Sequence, residues 1–267
     1  MKLFYREFGE GFPLIILHGL YGSSDNWISI ARELSGEYRL ILPDQRNHGQ
    51  SPHSPVHDYQ SMSEDLHELV GILDLDKFIL VGHSMGGKTA AYYARRWPDS
   101  LSGLVIIDIT PFSETENTDI KSTFHHRVLE KMLNTDPALF DDRAEADRSF
   151  KDVTGSEMIR KFLLKNLTRD RNGKFMWKLN PGYLFDNLAN IYDGFQRPGE
   201  NFAEFIRGFQ VLFLRAMESG YIQDRDYEAI LKLFPASEII EVPDASHWIH
   251  AEKPELIINL IRDNFPV

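Results

Sequence analysis

Short apolar runs and amphipathic segments alternate along the first 110 residues, and their spacing predicts strands and helices in turn. Residues 2–8 alternate in the manner of an edge strand. Residues 13–17 are apolar without interruption, the pattern of a strand buried on both faces. Asp25 or Asn26 is then placed to cap a helix reaching about residue 34. A second buried-type strand follows at 38–42, a helix at 61–73, a strand at 78–81, a helix at 88–96 and a strand at 103–107. This alternation predicts an α/β fold with a doubly wound, mostly parallel sheet.

The pattern breaks after residue 110. From 111 to 198 the chain carries charged segments of helical character and no convincing buried strand, with candidate helices at 123–133, 137–150, 155–166, 174–180 and 181–192. The stretch is too long for a loop and is expected to form a helical cap inserted into the core. Sheet character returns with a strand at 209–214, a helix at 225–234, a strand at 238–242 and a last helix spanning 248–265. The expected division is therefore a core of residues 1–110 and 199–267, with 111–198 as the cap.

At 267 residues and 42% hydrophobic content the chain can bury one large core. It has 29 basic against 40 acidic side chains, a net charge of −11, and no basic stretch stands out. That argues against nucleic acid or an anionic membrane surface as the main partner. Cysteine is absent, which excludes disulfides, thiolate metal sites and cysteine nucleophiles. No apolar run approaches the length of a membrane span, and the charged first residues do not resemble a signal peptide. A soluble, cytoplasmic protein is the expectation.

The chemistry centres on Ser84. Residues 78–81 run into Gly82-His83-Ser84-Met85-Gly86, and a helix-like run follows at once. As a bare pattern, Gly-x-Ser-x-Gly arises by chance in roughly one in ten chains of this length. Between a buried strand and a helix it is a nucleophile elbow, whose tight turn leaves no room for Cβ atoms two residues either side of the serine.

A serine nucleophile needs a base. Ten histidines are present, and position in the topology sorts them. Working loops sit at the carboxyl ends of parallel strands, which selects His247, in the loop after the last strand. His18 and His83 also end strands but adjoin turns whose backbone has other work, and His125-His126 are expected to be a solvated pair. Two carboxylates, Asp108 and Glu218, stand after later strands and keep the chain order serine, acid, histidine. Asp224 is a weaker third, expected to cap a helix. The backbone N–H of Met85, beside the serine, and that of Leu20, after the second strand, are expected to bind the developing oxyanion of the substrate.

His18-Gly19, Asp44-Gln45-Arg46-Asn47-His48-Gly49-Gln50-Ser51, Gly82-His83-Ser84-Met85-Gly86-Gly87 and Ala245-Ser246-His247-Trp248 together resemble the α/β-hydrolase superfamily. Asp108-Ile109-Thr110-Pro111, Trp177-Lys178-Leu179-Asn180 and the run from His247 to Pro254 are similar, more closely, to the YbfF-type bacterial esterases. The resemblance implies a carboxylesterase or thioesterase for short to medium acyl groups, with no metal and no organic cofactor. It also implies that Asp108 supplies the acid. Where many members carry an aspartate after the later strand, this chain has Ser219 beside Glu218, which favours Asp108 without excluding Glu218.

The expected function is thus a serine hydrolase using Ser84, His247 and Asp108 on a small acyl ester or thioester. Phe124, Phe162, Trp177 and Tyr183 of the cap are expected to wall the acyl pocket. Carbon–carbon bond hydrolysis or an elimination on the same machinery is the nearest alternative, and a non-catalytic small-molecule receptor is the contrasting one. Oligomeric state is not readable from the chain.

Overall fold

A computed structural model describes residues 1–199 and 205–267. Seven strands form one sheet: β1 (Tyr5–Phe8), β2 (Phe12–Leu17), β3 (Tyr38–Pro43), β4 (Phe78–His83), β5 (Leu101–Ile107), β8 (Gln210–Ala216) and β9 (Ser237–Val242). Their order is β1-β3-β2-β4-β5-β8-β9, with β1 antiparallel to β3 and every other pairing parallel. The chain steps from β2 outward to β3 and returns to β4 on the other side. The carboxyl ends of β2 and β4 therefore flank the topological switch point, where open α/β sheets place their ligands.

Strand residues alternate between two layers of core. Ile15, Leu17, Leu80, Leu104, Ile106 and Phe213 face helices α2 (Tyr59–Ile72), α3 (Met85–Arg96) and α9 (Asp224–Leu233). Leu14, Ile16, Val81, Val105, Ile107 and Leu214 face α1 (Ile28–Leu34) and α11 (Pro254–Asn264). Burial on both faces explains why these strands read as unbroken apolar runs.

Between β5 and β8 lie α4 (Phe124–Leu133), α5 (Arg143–Ser149), α6 (Glu157–Leu163), α7 (Pro181–Asp186) and α8 (Leu188–Tyr192). Their apolar faces form a third cluster, in which Val128, Leu129, Leu163 and Leu184 pack with Leu20, Tyr21, Tyr59 and Met85 of the sheet's working end. The two roots of this insertion are tied together: Phe195 N–H donates to Pro111 O at 2.9 Å, and Ser113 N–H to Phe195 O at 2.8 Å. The expected return to the core at residue 199 abuts residues 200–204, which lie outside the described residues.

Four local expectations are corrected. Residues 174–180 are not helical: β7 (Phe175–Trp177) pairs antiparallel with β6 (Leu167–Arg169), and Leu167 and Phe175 are buried. The Asn172-Gly173 turn drives this hairpin, with Gly173 at φ +80° and Asp170 N–H bonded to Lys174 O. The last helix is two, α10 (Ile249–Glu252) and α11, because Pro254 cannot continue the first and instead opens the second. Ser23 rather than Asp25 or Asn26 occupies the first N-cap, with Asn26 Oδ1 accepting its N–H at 2.8 Å. Gln223, not Asp224, is the N-cap of α9, and Asp224 pairs with Arg215 at 2.6 Å.

Candidate active site

Ser84 sits where β4 becomes α3, at φ 53°, ψ −123°. Its N–H continues the sheet by donating to Ile107 O at 3.0 Å, so the strain is held by the β5 neighbour. A Cβ on Gly82 would lie 2.3 Å from Gly86 O, and one on Gly86 would lie 2.5 Å from Leu17 O. Both glycines are therefore demanded by backbone, one by the turn itself and one by the end of β2.

His247 follows β9 in an irregular loop and reaches both neighbours. Its Nδ1–H donates to Asp108 Oδ2 at 2.7 Å, and Ser84 Oγ–H donates to its Nε2 at 3.0 Å. The carboxylate only accepts, which fixes the tautomer and leaves Nε2 free to take the serine proton. Asp108 is fully buried, at φ 48°, with its N–H on Leu214 O and its Oδ1 accepting the Ala216 N–H at 3.0 Å. Glu218 is exposed, and its backbone N–H donates to Ala245 O. The structure joins Asp108 to His247 and leaves Glu218 outside.

Met85 opens α3, so its N–H has no carbonyl one turn back. Leu20 lies in the loop after β2, and both residues line a narrow crevice with Ser84. That loop is held by two buried imidazoles. His18 donates Nδ1–H to Gly19 O and accepts the Gln45 N–H on Nε2 at 2.9 Å. His48 donates to Arg46 O and accepts the Tyr21 N–H at 3.3 Å. Burial lowers the pKa of each, and both stand neutral.

A cavity of about 200 Å³ lies over Ser84 and His247, walled by Leu20, Tyr21, Phe124, His125, Phe162 and Trp248 among others. Phe124 and Phe162 are thus at the site, whereas Trp177 and Tyr183 do not line this cavity; Trp177 packs on Phe150 instead. His125 and His126 are not a solvated pair. His125 packs against Tyr21 and Tyr192 and its Nε2 lies 3.4 Å from the Tyr221 hydroxyl, while His126 packs on Phe185. Burial pulls the His125 imidazole down to about 4.

Three further side chains stand at the site, of which the sequence singles out only His83, and that one merely as a histidine set aside. Tyr221 stacks on the His247 ring, centroids 4.0 Å apart. His83 donates Nε2–H to the His247 carbonyl at 2.8 Å. Lys88, one turn beyond Ser84 and 1% exposed, donates to Phe112 O at 3.0 Å and Asp193 O at 2.6 Å, one on each root of the insertion. Burial lowers its pKa to about 8, against the opposing pull of Glu114 and Asp193. Only the position of Tyr221 after β8 could have flagged it. A lysine in an amphipathic helix otherwise reads as surface. Among the described residues no group of three or more His, Asp or Glu side chains could hold a metal ion, and no helix is long and apolar enough to cross a membrane.

Residues 13–254 match the model of the alpha/beta hydrolase fold family. The chain is 38% identical over 251 residues to an sn-1-specific diacylglycerol lipase, ABHD11, of Danio rerio, covering 92% of this chain and 76% of that one. It is 30% identical over 250 residues to esterase YbfF of Escherichia coli, covering 94% and 91%. A solved marine microorganism esterase superposes with a TM-score of 0.92 at 37% identity, over 99% of both chains.

Proposed function

The chain belongs to the α/β-hydrolase fold family and is an ester hydrolase, and we propose that it cleaves short to medium acyl esters or thioesters through Ser84, His247 and Asp108. The observation that carries this reading is the unbroken hydrogen-bonded line from Ser84 Oγ through His247 to Asp108, 3.0 and 2.7 Å long.

In the proposed mechanism Ser84 Oγ attacks the substrate carbonyl as its proton passes to His247 Nε2. Asp108 stabilises the imidazolium through Nδ1. The N–H groups of Leu20 and Met85 bind the oxyanion, where fixed donors in a water-poor site contribute several kcal/mol, about 3 per donor by analogy with other serine hydrolases. Nε2–H then protonates the leaving oxygen or sulfur, and the bond to it breaks. Water, deprotonated by the same nitrogen, hydrolyses the acyl-enzyme and returns Ser84 to its start. The helical insertion, residues 111–198, serves as the cap that walls the substrate cavity, as the placement of Phe124, His125 and Phe162 suggests.

A fluorophosphonate probe is expected to label Ser84, and Ser84→Ala to abolish both labelling and p-nitrophenyl acetate hydrolysis with the thermal transition nearly unchanged. Most of the activity surviving in a clean Ser84→Ala preparation would refute the assignment.

A further inference from the structure

Outside the cavity at Ser84 runs a separate groove of about 500 Å³. Its floor is apolar, formed by Met158, Phe162, Trp248 and Ala251, and Lys161 at its rim is paired with Glu157 at 2.6 Å. Phe162 and Trp248 belong to both spaces, with their rings edge to face at 4.2 Å. Phe162 comes from α6 of the insertion and Trp248 from the loop carrying His247, so this aromatic pair is a partition with one side on each part of the fold.

The inner cavity alone, at about 200 Å³, falls below the roughly 300–1,000 Å³ of ordinary small-molecule sites, and the groove brings the total into that range. Direction follows from the chemistry. His247 Nε2 must protonate the leaving atom, so the leaving arm starts beside His247, and Trp248 is the next residue, 6.0 Å away ring to ring. Away from His247 and Trp248, which do not line it, the space beside Ser84 shrinks to a crevice of about 20 Å³ lined by Met85, Ile109 and Glu114 among others.

We propose that the leaving alcohol or thiol of the substrate is a long apolar arm that parts the Phe162 and Trp248 rings and lies in the outer groove, while the acyl group is short. This rests on the Ser84–His247 assignment above and adds the substrate class. The apolar floor suits a hydrocarbon arm, and the charged groups, Lys165 and the Lys161–Glu157 pair, stand exposed at the rim.

Two ester series test it: acetates of linear alcohols from ethyl to octyl, and ethyl esters of linear acids from acetate to octanoate. In the wild type, kcat/KM rises along the alcohol series, by about twofold to fourfold for each methylene buried, and falls along the acid series. Met158→Asp lowers the octyl-to-ethyl acetate ratio of kcat/KM by ~10-fold or more, and Phe162→Ala and Phe162→Leu change the length at which the rise ends. A flat alcohol series, a rise confined to the acid series, or an octyl-to-ethyl ratio untouched by Met158→Asp overturns the proposal. Ethyl acetate turnover and its loss in Ser84→Ala report on the catalytic assignment separately, so either idea can fail alone.

Discussion

His83, the residue immediately before Ser84, donates its Nε2–H to the main-chain carbonyl of His247 across 2.8 Å. The strand that presents Ser84, the proposed nucleophile, thereby also holds the loop that presents His247, the proposed base. Burial, reinforced by the neighbouring His250 and His247 rings, keeps the His83 imidazole neutral with its pKa well below the usual histidine range. The bond is consequently present throughout the neutral pH range.

His83→Phe keeps the buried ring and deletes this one donor. Misplacement of a catalytic group by about 1 Å costs on the order of 10²-fold in rate. We expect kcat to fall by about 10- to 100-fold with KM changed far less. Steady-state kinetics on p-nitrophenyl acetate, with circular dichroism as the fold control, decide it; an unchanged kcat would show that the loop holds itself.

Asp108→Asn should lower kcat by about 10²–10⁴, because an amide favours the tautomer that turns the wrong nitrogen toward Ser84. Glu218→Gln should be close to neutral, since that carboxylate is exposed and its field is screened by salt. Kinetics of the two single variants test the assignment, and a severe loss in Glu218→Gln beside a near-normal Asp108→Asn would reverse it.

Acid should unfold this protein early. Burial lowers the pKa of His57 and His250 from 6.5 to about 3 each, and also lowers those of His18, His48 and His83. A depressed folded pKa means that the unfolded chain takes up protons first. The stability these histidines contribute is full above pH 6.5 and is lost as pH falls from there toward the folded values. His57 and His250 each represent on the order of 5 kcal/mol, against a typical net stability of about 5–15 kcal/mol. Denaturant midpoints should therefore drop steeply between pH 6.5 and 4. A midpoint constant over that span would contradict the burial of these rings.

Lys88→Met should loosen the insertion. It strips donors from Phe112 O and Asp193 O, and bonds to a charged group contribute about 1.5–3 kcal/mol each. Removing the buried charge offsets part of this, so a drop in Tm of about 2–6 °C is expected by calorimetry. The pH dependence carries a separate sign. Lys88 has its pKa lowered from 10.5 to about 8, so between those values the unfolded chain holds a proton that the folded chain has released. Its contribution to stability rises with pH across that window. The stability difference between wild type and Lys88→Met should grow in favour of the wild type from pH 8 to 9.5, and a difference independent of pH would show that Lys88 is not titrating there.

The strands, the elbow and the place of His247 after the last strand were legible in the sequence because each depends on local pattern. Burial on both faces forces unbroken apolar runs at β2, β4 and β5, and glycine is forced on either side of Ser84, by the turn itself at Gly82 and by the end of β2 at Gly86. The hairpin β6–β7 was equally local, signalled by Asn172-Gly173, and was outweighed by the helical character around it. Other features depend on pairs far apart in the chain, where no periodicity reaches. Chain order admitted both Asp108 and Glu218, and the resemblance only leaned toward Asp108. The join across 139 residues to His247 rests on the left-handed turn of Asp108 and its anchor on Ala216 N–H. His125 and Lys88 read as surface residues on amphipathic helices, until the insertion folds down over α3, burying Lys88 and half-burying His125 beside Ser84. Phe162 meets Trp248 only through that same docking, because the two rings approach from separate parts of the fold.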